Sequence, residues 1–246
     1  MDIVSYLGSG RIYLRERGTA DPLLPVGNCS ALNFAFEEDK KTLPDHQNPG
    51  GGVADSVARI TGATGNLTTN TINSRNLALA LRADISKVAN VSVVDELHTS
   101  AGIGGEFIPF EFPCDKSVPL TVKDSADTEL TVGTDYEVSN GGIIVIAGGG
   151  IDDQGVKLSY TSLGSDVVEM LTNSGKEYEL HFDGLNEANS GKAVHIVIHR
   201  LKFSPASGMD WLGDDFAELP LEFDLLSDTS IVAAGKSKYA KVTFTN

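Results

Sequence analysis

The sequence predicts a mainly β fold with one short α-helix and a small inserted β module. Three observations carry this. Apolar residues recur at every second position in short segments, the spacing that puts them on one face of a pleated strand. Glycine is frequent, at 26 of 246 residues, and clusters with Asn and Asp in turn-like runs. Only one segment combines a helical pattern with a capping residue.

"RIYLRER", Arg11 to Arg17, is the first strand, and a loop with Pro22 and Pro25 follows it. In "SALNFAFEE", Leu32, Phe34 and Phe36 alternate with Asn33, Ala35 and Glu37. Then comes Leu43, Pro44, Asp45, His46, Gln47, Asn48, Pro49, Gly50, Gly51 and Gly52. This composition suits neither strand nor helix. Carried on to Asp55, the stretch exceeds the two to five residues of an ordinary hairpin turn, and it is expected to be a mobile tongue. "DSVARITGATGNLTTNTI" reads as one long or bent strand interrupted at Gly62 and Gly65. "NSRNLALALRA" is the helix, expected from Ser74 to Ala83. Asn73 or Ser74 caps it, and Leu77, Ala78 and Leu81 lie on one side.

Residues 100–162 change texture, with short strands between Gly, Asp and Asn turns. They hold 10 acids and 3 bases. They are expected to form an acidic β module inserted into a domain built from 1–99 and 163–246. In the last third, Tyr178, Leu180 and Phe182 alternate with Glu177, Glu179, His181 and Asp183. Leu219, Leu221, Phe223 and Leu225 alternate with Pro220, Glu222 and Asp224. The register of "AVHIVIHRLKF" switches near His199 and Arg200, which predicts a bulge. "YAKVTFTN" closes the chain with Ala240, Val242 and Phe244 in phase.

The net charge of −15 argues against binding to phosphate backbones or anionic membrane surfaces, both of which need clustered Lys and Arg. No basic leader followed by an apolar run opens the chain, and no apolar stretch approaches the roughly 20 residues of a membrane helix. A cytosol-like compartment is expected. Cys29 and Cys114 are far apart in sequence, with pairing left open. His195 and His199 sit on a strand, where four residues span about 13 Å, too far for one metal ion. Asp210, Asp214 and Asp215 lack EF-hand spacing. The glycine clusters lack the form of phosphate loops, and no nucleophile elbow or zincin motif appears. The expectation is a protein with no enzymatic activity, metal or cofactor.

"GRIYL", "PVGNCSALNFAFEEDKK" and "RITGATGNLTTNTINSRNLALALRAD" together resemble the major tail tube proteins of long-tailed, non-contractile (siphovirus-type) bacteriophages. "TDYEVSNGGIIV…KLSYTS" is similar to a β module that such proteins often carry, and "NEANSGKAVHIVIHRLKFSPASGMDWLGDDFAELPLEFDLLSD" to their carboxy-terminal strands. The resemblance covers most of the chain and has no catalytic signature. It implies a β-sandwich whose sheets, joined in six-membered rings, close one barrel around a lumen. Rings stack into a tube, the conduit for double-stranded DNA during ejection, which passes without specific binding. The implied partners are further copies of the chain, a tape-measure protein, and tail tip and terminator proteins. The implied place is the virion tail, assembled in the host cytoplasm.

On that reading the tongue Leu43–Gly52, with the terminal segments, carries contacts between rings. The helix of Ser74, Leu77, Ala78 and Leu81 flanks the barrel sheet. Glu177, Glu179, Glu222 and Asp224 are candidate acids for a lumen wall that repels DNA. A surface adhesin recognising carbohydrate is the alternative, and a hydrolase using paired carboxylates the third reading.

Overall fold

The alternation read along the chain becomes sixteen strands and one α-helix in the computed structural model, which describes residues 5–173 and 175–245. The chain opens with β1 (Gly8–Glu16), β2 (Leu24–Pro25), β3 (Cys29–Pro44), β4 (Val53–Thr69) and α1 (Ser74–Leu81). It leaves through β5 (Asp84–Val88) and forms β6 (Ser92–His98), β7 (Phe107–Pro109), β8 (Thr121–Asp124), β9 (Tyr136–Val138), β10 (Gly142–Val145) and β11 (Val156–Thr161). It returns through β12 (Ser165–Glu169), which pairs with β5. β13 (Tyr178–Asn186), β14 (Lys192–Phe203), β15 (Leu219–Leu225) and β16 (Ala240–Phe244) complete it. The fold is mainly β, with one short helix and several sheets.

Two compact units result, one from 1–85 with 168–246 and one from 86–167. The second is wider than the acidic stretch 100–162 because β6, which precedes that stretch, pairs along β11. Charge counting could not see a strand that carries its own acids but belongs to the module by pairing. The module has two three-stranded sheets, β7-β10-β9 and β6-β11-β8, around Ile108, Val122, Ile143 and Leu158. Inside it, Glu96 accepts from the Tyr160 hydroxyl at 2.6 Å and the Glu111 N–H at 3.0 Å. Burial, then that hydrogen bond, pushes the Tyr160 phenol up to about 12.

The first unit is one eight-stranded sheet, ordered β2-β1-β13-β14-β15-β4-β3, with β16 also on β14. The sheet forks at β14. Val194–Ile198 pair with β16, while Leu201–Phe203 pair with β15. Between these stretches β14 carries an extra residue against β13, since Leu180 faces Ile198 and Tyr178 faces Leu201. This is the bulge expected at His199–Arg200; a bulge bends and twists its strand and lets the two halves of β14 join different neighbours. Both branches contribute to one core, with Ile12, Leu14, Leu180 and Ile198 from one side and Leu67, Leu221 and Phe223 from the other. The Phe223 ring lies on Gly65, where an added Cβ would sit 2.6 Å from the ring. Gly65 is thus a strand glycine kept for close approach of an aromatic ring.

The helix ends earlier than expected, at Leu81, because Arg82 takes a left-handed conformation with φ 47° and its N–H bonds Ala78 O. The Asn73 side chain caps it, accepting from Asn76 N–H at 2.8 Å. The buried face is Asn76, Leu79 and Ala80; Leu77, Ala78 and Leu81 are only partly buried. Apolar spacing points to Leu77, Ala78 and Leu81, whereas the residue that decides the buried face, Asn76, is polar. Asn76 donates to Val26 O and Thr71 O, both at 2.7 Å, and so turns the helix toward the segment after β2.

Candidate functional site

The long hairpin of β3 and β4 is where the fold departs from ordinary packing. Near its base, Cys29 to Phe36 pair with Ala63 to Thr69, and β15 lies on the other side of β4 from Thr64 to Thr69. At Thr61 the ladder slips: Glu37 faces Gly62 but Glu38 faces Ile60. Beyond this bulge the two strands continue alone, with Glu38 to Pro44 against Val53 to Ile60. At roughly 3.3 Å per residue the free ribbon is about 25 Å long. From Glu37 to Thr61 every residue except Asp45 is exposed.

An isolated two-stranded hairpin is at best marginally stable in water. This one has modest support of its own: Asp39 stands opposite Arg59 in the ladder, an arrangement that favours pairing. Its tip is ordered by Asp45, whose carboxylate accepts from Gln47 N–H at 2.8 Å and Asn48 Nδ2 at 2.6 Å. The Asn48 amide, then the Gln47 N–H, hold the Asp45 carboxyl below its usual range. Gly50, Gly51 and Gly52 all have positive φ, at 108°, 70° and 142°, and close the turn where other residues would be strained.

The expected tongue is therefore shorter and more regular than its composition suggested. Leu43 and Pro44 belong to β3, and Val53 to Asp55 to β4; the loop proper is Asp45, His46, Gln47, Asn48, Pro49 and Gly50 to Gly52. A proline at the outer end of a strand with a free edge is tolerated because it forfeits no interior ladder bond. Pro44 hid the strand from a composition-based reading. Of the terminal segments, residues 1–4 and 246 lie outside the described residues.

The ribbon presents large apolar side chains to solvent: Leu43, Val53, Val57 and Ile60, with Phe36 at its root, are 55–65% exposed. One face is a shallow concavity of about 380 Å³, between Asp39, Lys41, Leu43, Asp55, Val57 and Arg59. Among the described residues β3 pairs only with β4, and β16 only with β14, so each offers an unpaired strand edge.

The four candidate acids separate into two kinds. Glu177 is bound by the Arg200 guanidinium at 2.5 and 2.7 Å, which lowers its pKa. Glu179 accepts from Arg15 at 2.5 Å and lies 2.6 Å from His181 Nε2. Burial pushes its carboxyl up, and the contacts with His181 and Arg15 outweigh that and hold it low. Both are thus matched locally by cations. Glu222 and Asp224 are exposed on β15, where they stand opposite Asn66 and Thr64 of β4; Asp224 also stands opposite Lys202 of β14, so of the two Glu222 is the acid without a cation across the ladder. They line one polar concavity with Asn33.

His195 lies beside His181, with ring nitrogens 3.4 Å apart. No group of three or more His, Cys, Asp or Glu among the described residues is placed to hold a metal ion. Cys29 and Cys114 are both free. No helix among the described residues is long and apolar enough to cross a membrane.

A model of the family described as "Protein of unknown function UCP028589" matches residues 5–243. The chain belongs to this family. The matched span takes in the exposed ribbon, α1 and the inserted module. No curated protein matches the chain.

Proposed function

We propose that this family member is a self-assembling structural subunit of a hollow tube, the tail tube of a long-tailed, non-contractile bacteriophage. One observation carries the reading: the outer half of the β3–β4 hairpin stands clear of its own body with its apolar side chains and both strand edges exposed. Burying a large apolar side chain fully is worth roughly 1.5–3 kcal/mol, so the four of the ribbon, each 55–63% exposed, leave on the order of 4–7 kcal/mol to be gained, and Phe36 at its root adds to that. That is comparable to the cost of association, about 4–15 kcal/mol, so the ribbon alone can decide whether copies join. The free edges of β3 and β16 favour the same outcome, because pairing them with neighbours in a closed ring removes edges that otherwise invite aggregation.

In such a tube Glu222, and Asp224 with less net charge because Lys202 stands opposite it, are the acids suited to a wall that repels DNA, within a Debye length of about 8 Å. Glu177 and Glu179 serve as ion-pair partners. Further copies form the rings, with tape-measure, tip and terminator proteins as the remaining partners, in the virion tail.

Negative-stain microscopy of the concentrated protein tests this. Rings, or tubes of uniform width, are expected. Replacing 39–59 by a two-residue Asn-Gly turn is expected to leave the body folded and abolish both. A strictly monodisperse monomer of the wild-type chain at high concentration contradicts the proposal. Exposed Trp211 and Phe216 favour a carbohydrate-binding adhesin as the second reading, and specific hits on a glycan array would put it first.

A further inference from the structure

Two unmatched apolar features lie on the same unit. The first is the crest between β14 and β15. Its feet are fixed: Ser204 N–H bonds Glu222 O at 2.8 Å, Ala206 N–H bonds Ala80 O at 2.7 Å, and Ala206 and Met209 pack on the core. Between these feet and Leu219, residues 210–216 are all exposed. Trp211 is 68% exposed, and Leu212 and Phe216 are each 94% exposed. A segment anchored at its base yet holding its only large apolar side chains in water is placed to be covered by something else.

The second is a cleft of about 440 Å³ between β3 and the inner face of β1, β13, β14 and β16, lined by Cys29, Leu32, Phe34, Phe182, Val242 and Phe244 among others. It falls in the ~300–1,000 Å³ range of pockets that take up apolar groups. Val242 and Phe244 leave half or more of their surface open.

We propose that the Trp211–Phe216 crest of one copy inserts into the β3–β16 cleft of a second copy. Chemistry matches the two: aromatic and aliphatic side chains meet a cleft walled by the same types. The area falls just short of a stand-alone interface, as expected of one contact among several in an assembly. Trp and Phe each bury about 150–250 Å², so the crest and the surface it covers amount to on the order of 900 Å², close to the ~1,000 Å² that a specific interface clears. Crest and cleft are different patches, so the contact is head-to-tail, the kind that closes into a ring or runs on as a fibre. The inference rests on the proposed self-assembly and names surfaces for it other than the ribbon.

Cys29 supplies the test, since it lines the cleft and the other cysteine, Cys114, is buried in the other unit. In a Phe216→Cys variant under mild oxidation, a ladder of covalent multimers on a non-reducing gel is expected, and it should disappear in Phe216→Cys/Cys29→Ser. Multimers that persist without Cys29, a cross-link confined to the monomer, or no cross-link overturn the proposal. Because the substitution trims the crest, the wild-type chain gives a second reading. Emission of Trp211, the only Trp, is expected to shift to the blue as copies associate, and unchanged emission in assembled protein overturns the insertion. Rings or tubes without the Cys29-dependent ladder would remove this contact and leave the tube standing. A Cys29-dependent ladder without rings or tubes would do the reverse.

Discussion

From Cys29 to Phe36, and back from Ala63 to Thr69, the β3–β4 hairpin is part of a sheet. β15 extends it, and Leu67 and Ala63 reach the core. Past the slip at Thr61 the same two strands run on with the same antiparallel ladder, and almost nothing is buried. Backbone pairing is common to both halves. What the outer half lacks is a third strand and a covered face, the two things that make a hairpin stable by itself. The difference teaches that strand pairing and burial are separable here, and it is what the proposed assembly uses: a surface supplied by a neighbouring copy.

Truncation separates the halves most sharply. Phe223→Ala removes the ring that lies on Gly65 in the base and is expected to cost about 3–5 kcal/mol, read as a lowered denaturant midpoint. Val57→Ser in the ribbon is expected to change monomer stability by no more than about 0.5 kcal/mol, yet to reduce assembly measured by light scattering. A large stability loss at Val57 would mean that the ribbon packs on its own body in solution.

Alkali provides the next contrast, because the buried parts carry shifted tyrosines and residues 37–61 contain none. Burial, then the Glu16 carboxylate, pushes Tyr178 up to about 12, and Tyr160 of the module is pushed equally high. The unfolded value is about 10. The native state thus keeps protons that the unfolded chain releases. The stabilising contribution is complete below about pH 10 and is lost as pH rises through 12. Global unfolding followed by circular dichroism should ease across that window in step with tyrosinate absorbance. Stability that is flat across it would contradict the burial of both rings.

Within the body, a small effect is expected at the Arg200–Glu177 pair, whose side chains are both roughly 30% exposed. Arg200→Ala should cost about 0–1 kcal/mol, a fraction of the Phe223 effect, although both sites lie in the body.

Alternation made much of the body legible in the sequence. β15 is buried at each of Leu219, Leu221, Phe223 and Leu225, with Glu222 and Asp224 outside, and the break in phase at His199–Arg200 marked the bulge at which the sheet forks. Asn73 was readable as a cap because its side chain acts locally. Features that depend on partners were not readable. Leu43 and Pro44 are strand only because Asp55 and Val53 lie across from them. The helix faces inward through Asn76 because of carbonyls at Val26 and Thr71, and β6 belongs to the module through β11. Among the candidate acids, sequence could not separate Glu177 and Glu179, which form ion pairs with Arg200 and Arg15, from Asp224, which only faces Lys202 in the ladder, and Glu222, which faces Asn66.

Hydrogen exchange along residues 37–62, measured on dilute monomer and on concentrated protein checked for polymer by microscopy, bears most directly on the claim that a neighbour completes the ribbon. Fast exchange in the monomer is expected from a ribbon without a third strand, with strong protection of the same amides in the polymer. Equal protection in both states, or protection already complete in the monomer, would contradict it.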